Sequence, residues 1–196
     1  EELLDSVVNS QSRGNAPALD MVNVFVTDSS SYNISDIYSG SIEARGSHSS
    51  LKTTQFKYFS QNIIKTLKKA EQKKINLCLE TDLSPEFFLL LLKDLPKEVF
   101  KVNYDIGNSA SLGYNVNEEF EAYGDRITDI HIKDRLRGGG SVELGKGNAN
   151  FDELINLMKI SSYDGQLIMQ VYRDDEGIEI FEKQLLFFKE KLFKLW

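Results

Sequence analysis

Four short apolar runs constrain this chain most, because each ends on a residue able to bind a metal. They are Ile75 to Glu80, Phe100 to Asp105, Ile127 to His131 and Gln166 to Gln170. Each has the length and β-rich composition of a buried parallel strand. Helix-like stretches separate them. In a barrel of parallel strands the C-terminal ends converge on one face, where the chemistry sits. Glu80, Asp105, His131 and Gln170 would then surround one point. Three oxygen-type ligands and one imidazole suit a divalent cation such as Mn²⁺ or Mg²⁺.

The intervening segments support this alternation. Leu3 to Val8 reads as the end of a helix, and Met21 to Val26 as a strand. Tyr32 to Ser50 is rich in Ser and Gly and reads as a long loop. Phe56 to Gln72 carries a helical apolar stripe. Ser84-Pro85 places a capping hydroxyl and a proline where a helix begins, and that helix runs through Leu92. Further helices are expected over Asn117 to Tyr123, Asn150 to Met158 and Ile178 to Phe193. Asn150 with Glu153 approximates a capping box. The order is five strands, each followed by a helix, so the class is α/β with a parallel sheet. A closed eight-stranded barrel needs about 250 residues, and this chain has 196.

Composition limits the partners. Hydrophobic residues make up 41% and charged residues 27%, as in an ordinary soluble domain. The longest apolar run, Phe87 to Leu92, is too short to span a bilayer, so no membrane is expected. Acidic Glu1-Glu2 does not resemble a signal peptide. The formal net charge of −7 disfavours nucleic acid. One cysteine, Cys78, fits a cytoplasmic setting and reads as a small core residue.

Three motifs together carry a resemblance: Val102 to Ala110, Ile130-His131-Ile132-Lys133-Asp134-Arg135, and Leu144-Gly145-Lys146-Gly147-Asn148. The chain resembles the sugar phosphate isomerase/epimerase branch of the xylose isomerase-like TIM barrels, and hexulose-6-phosphate isomerase-like proteins within it. The resemblance implies a (β/α)8 TIM barrel, here one domain over 1–196 with only the C-terminal five strand-helix units. Strands one to three would be absent. It implies metal ligands at Glu80, Asp105, His131 and Gln170, with Zn²⁺ or Co²⁺ as alternatives to Mn²⁺ or Mg²⁺. Glu80 and Gln170 would be the catalytic pair. Gln170 departs from the glutamate usual at that position. An amide oxygen can still face a metal, but it takes no proton at neutral pH.

The resemblance also marks Asn108 and Arg137 as substrate-binding residues, with Arg173 following Gln170. Arginine forks suit phosphate and vicinal hydroxyls. Arg135 reads equally well as part of a solvated basic loop. Backbone N–H groups around Lys146 could cradle an anion at a helix start. Asp134 could orient a ligand from behind. His48 lies in the Ser-rich loop and receives no role.

The expected activity is therefore that of a metal-dependent isomerase or epimerase acting on a sugar or sugar phosphate, with a homo-oligomer compatible. One alternative is a non-catalytic or truncated relative whose open sheet exposes two edges. Another is an abasic-site endonuclease-like protein. A histidine-rich three-metal site would be needed for that, and the chain has two histidines.

Overall fold

The computed structural model describes residues 21–26, 76–93, 95–175 and 177–195. The helices expected within Leu3 to Val8 and Phe56 to Gln72, the long loop from Tyr32, and His48 lie outside them. The chain divides into two compact units, Glu1–Lys101 and Val102–Trp196.

In the first unit, β1 (Met21–Val26) pairs in parallel with β2 (Asn76–Thr81), with Met21 opposite Asn76 and Val26 opposite Thr81. Positions 77 to 80 of β2 are all buried, with no alternation. A parallel strand covered on both faces has this pattern. Cys78 is fully buried, as a small apolar residue would be. Helix α1 (Pro85–Lys93) starts where the Ser-Pro pair placed it, and the Ser84 carbonyl accepts from the Phe88 N–H at 2.9 Å. It buries Phe88, Leu91 and Leu92.

Strand β3 (Phe100–Asp105) runs from the end of the first unit into the second. In the second unit come α2 (Ile106–Leu112), α3 (Val116–Tyr123), β4 (Ile127–Ile132), β5 (Asp134–Arg135), β6 (Ser141–Val142), α4 (Phe151–Ile160), β7 (Gln166–Met169) and α5 (Ile178–Leu195). Strand β4 pairs in parallel with β3 on one side and β7 on the other. Strands β5 and β6 form a small antiparallel hairpin that the sequence pattern did not suggest. The core gathers Ile130, Ile132, Leu154, Ile155 and Phe188. Phe151 meets the edges of Phe187 and Phe188 at centroid distances of 6.3 and 5.9 Å, joining α4 to α5. Among the described residues, no helix is long and apolar enough to cross a membrane.

Two differences from the sequence expectations have local causes. Residues after Asp105 form helix α2, which was not among the expected helices, because the Asp105 side chain caps it: Oδ1 accepts from the Asn108 N–H at 2.8 Å. Strand β7 ends at Met169, so Gln170 lies one residue beyond it, its N–H still donating to the Ile132 carbonyl at 3.0 Å. The capping assignment at Asn150 matches the structure, where Oδ1 accepts from the Glu153 N–H at 3.2 Å. Removing that acceptor with Asn150→Ala is expected to lower the unfolding free energy by about 1 kcal/mol, read as a reduced urea midpoint at unchanged slope.

Candidate metal centre

Parallel pairing brings two sequence-predicted ligands side by side. In the β3–β4 register Asp105 lies opposite His131. Both are buried, and His131 Nδ1 lies 3.8 Å from Asp105 Oδ2. Side chains two apart on a strand share a face. Asn103 therefore accompanies Asp105, and its Nδ2 lies 3.2 Å from His131 Nε2. Lys133 follows His131 by the same interval. Its ammonium sits 3.4 Å from Asp105 Oδ2 and donates to Gln170 Oε1 at 2.9 Å. Asp105, His131, Lys133 and Gln170 thus belong to one connected network.

In the first unit, Glu80 lies near the C-terminal end of β2 and is 5% exposed. In the second unit, the buried Asp105 carboxylate and His131 imidazole are donor types that a metal ion takes. The donor set fits the hard, oxygen-preferring cations Mg²⁺ and Mn²⁺, and the imidazole extends it toward Zn²⁺.

Asn108 joins the network from α2. Its backbone caps onto Asp105, and its Oδ1 accepts from Arg135 Nη1 at 2.9 Å. Arg135 is not a loose basic residue, since its Nε and Nη2 donate to the Gly139 carbonyl at 3.1 and 2.7 Å. The remaining sequence candidates are placed differently. The Arg137 guanidinium lies against Gly113, where any Cβ would come within 2.4 Å of it. Gly113 is also at φ +80, a left-handed conformation that favours glycine. Arg173 is exposed. Lys146 pairs with Glu143 at 2.6 Å on the surface, and that hydrogen bond, with a second from Lys183, holds the Glu143 carboxyl below its usual range.

The loop expected to cradle an anion does so, but the anion is the protein's own. Asp134 Oδ2 accepts from the Gly145 and Gly147 N–H groups at 2.9 Å each, and Oδ1 accepts from the Ala149 N–H at 3.0 Å. Asp134 is fully buried. Its carboxylate pins the loop ahead of α4, which corrects the expectation that it orients a ligand. A Cβ on Gly147 would lie 2.1 Å from Asp134 Oδ1, so only glycine lets the loop close on the carboxylate.

A second buried carboxylate escaped sequence reading. Glu119, on α3, accepts from the Tyr104 hydroxyl at 2.8 Å, the Tyr123 hydroxyl at 2.9 Å and the Ser109 hydroxyl. Tyr104 precedes Asp105 and Ser109 follows Asn108, so this carboxylate braces the β3–α2 corner from behind. The signal available was weak: Glu119 and Tyr123 are four apart on a helix, but Tyr104 and Ser109 are distant in sequence. Burial raises the Glu119 pKa from its ordinary value of 4.5, against the lowering effect of its three hydroxyl donors. Burial first, then the neighbouring Glu119 charge, pushes both tyrosine hydroxyls upward, so they remain donors. A carboxyl whose pKa is raised on folding gives stability at low pH that is lost as pH climbs. Wild-type stability is therefore expected to fall, relative to Glu119→Gln, as pH rises from about 4.5 toward the raised folded value. Urea midpoints of both proteins across that range provide the check.

Comparison with known proteins follows this geometry. Residues 30–191 match the family model described as Xylose isomerase-like TIM barrel. A xylose isomerase domain protein from Planctomyces limnophilus superposes with a TM-score of 0.66 at 19% identity, covering 76% of this chain and 58% of that one. A xylose isomerase-like TIM barrel protein from Mycobacterium smegmatis, solved with magnesium, gives 0.64 at 17% identity over 97% and 66%. The 3-keto-D-glucoside 4-epimerase of E. coli gives 0.58 at 14% identity over 72% and 57%. At such identities the likeness is one of fold. An uncharacterized protein of Methanocaldococcus jannaschii is 25% identical over 116 residues, 56% of this chain. The chain spans 40% of that protein's length and about three fifths of the structures'.

Proposed function

Because the chain belongs to the xylose isomerase-like TIM barrel family, we propose that it is a divalent-metal-dependent isomerase or epimerase acting on a sugar or sugar phosphate. The observation that carries this reading is the β3–β4 register, which sets buried Asp105 beside buried His131 at parallel strand ends. Glu80, buried near the end of β2, is proposed as the further carboxylate ligand, a donor type that a hard cation prefers. Gln170, tied to the same network through Lys133, adds an amide oxygen as a fourth donor.

A cation held there would polarise hydroxyl and carbonyl oxygens of a bound sugar. The chain's own residues supply the proton chemistry. Glu80 is the carboxylate base that takes a proton from the hydroxyl-bearing carbon beside the carbonyl and returns it to the former carbonyl carbon, while the hydroxyl proton passes to the former carbonyl oxygen. Gln170 cannot share that task at neutral pH. One carboxylate base favours aldose–ketose isomerisation, where a single group works on one face, over two-base epimerisation. Asn108, held by Arg135 and the Asp105 cap, presents a polar edge for sugar hydroxyls. Arg137, Arg173 and Lys146 complete the proposed substrate contacts as exposed cations suited to a phosphate. Lys146 would first leave Glu143.

Metal affinity provides the first test. His131→Ala is expected to weaken Mn²⁺ binding by more than about a hundredfold, beyond the cost of losing an outer-shell partner, as measured by calorimetry. Equal binding in the variant overturns the site. The reaction is read by incubating aldose and ketose phosphates, and their free sugars, in deuterated water and locating exchange at carbon. Gln170→Glu restores a second base and is expected to raise epimerase turnover; an unchanged rate removes the single-base argument.

A further inference from the structure

The structure assigns Lys133 a role that the family match does not specify: it is the resident counter-cation of the metal site, against which a divalent ion must load. This inference rests on the proposed metal site and deepens it. Two independent observations carry it. The first is the head group, whose ammonium lies 3.4 Å from Asp105 Oδ2 and 2.9 Å from Gln170 Oε1, so one cation bridges two proposed ligands. The Asp105 side chain is 1% exposed and that of Lys133 17%, so the pair is poorly screened by solvent.

The second observation is the stem. A Cβ on Gly107 would lie 2.7 Å from Lys133 Cγ and 2.9 Å from its Cβ and backbone carbon. The first turn of α2 therefore lacks a side chain where the lysine passes. A long, rotamer-rich cation is held in place by packing along its stem, rather than left to wander at the surface.

The consequence is electrostatic. Lys133 places a positive charge beside the buried carboxylate of Asp105. A cation that takes Asp105 Oδ2 shares that oxygen with a positive charge already in place. Like charges at such range repel strongly in a partly desolvated site. Loading is then selective for ions whose charge density overcomes the ammonium, which disfavours monovalent ions. With Asp105 and Gln170 holding a cation, the lysine N–H groups would be available to an oxygen of the sugar.

The test uses Mn²⁺ alone, without sugar, on the full chain. Calorimetry compares wild type with Lys133→Met, which keeps the stem and removes the charge, and Lys133→Arg, which keeps the charge. Lys133→Gln serves as a second neutral variant if the methionine fails to fold, judged by circular dichroism and melting. The expected result is at least about a tenfold lower Kd in the neutral variant, with the arginine variant near wild type. A neutral variant that binds equally or more weakly overturns the inference while leaving the metal site intact. Wild type and neutral variants that all fail to bind Mn²⁺ overturn both. Binding gained only when the charge is removed supports the counter-cation.

Discussion

Parallel pairing of β3 with β4 is the constraint on which the second unit's chemistry depends. Its register sets Asp105 opposite His131, and the period of two then sends Asn103 and Lys133 to the same face. A slip of β4 by one residue would turn His131 and Lys133 toward the opposite layer, away from Asn103 and Asp105. The same strand carries Tyr104, whose position between Asn103 and Asp105 sends its hydroxyl to Glu119 on α3. One strand therefore serves two functions, facing the candidate centre with its polar residues and the helix layer with its tyrosine.

Two buried carboxylates hold the frame around that face by opposite means. Asp134 is satisfied by three backbone N–H groups of the loop that leads into α4. Glu119 is satisfied by three hydroxyls from a strand and two helices. The first fixes a loop's conformation, since glycine at 147 is what lets the chain wrap the carboxylate. The second fixes a corner, since it grips residues on either side of the Asp105–Asn108 cap. Desolvation favours a protonated Glu119, and its hydroxyl donors work against it. A buried acid with full hydrogen bonding is costly to strip of any partner.

Much of this was legible in local sequence. Helix starts at Pro85 and Phe151 followed from capping residues, and both helices end within two residues of where the periodicity placed them. The strands ending at Asp105 and near His131 and Gln170 followed from short β-rich apolar runs between helices. Helix α2 was not among the helices expected from the sequence; the aspartate's capping bond is what carries the chain into it. The loop around Lys146 was read as an anion cradle, correctly by type. Its occupant, Asp134, lies 11 to 15 residues from its donors, beyond the reach of any short motif.

The sequence by itself determined the alternation of strands and helices, and the ligand-type residues, a glutamine among them, at or just past strand ends. These follow from periodicity, capping and side-chain chemistry, which act over a few residues. Only the tertiary structure decided what each cation packs against: Lys133 past Gly107 onto Asp105, Lys146 on Glu143, and Arg137 on Gly113. The reason is physical. A lysine or arginine can reach many partners, and only the packed chain fixes which acceptor is close enough to overcome the entropy of holding it.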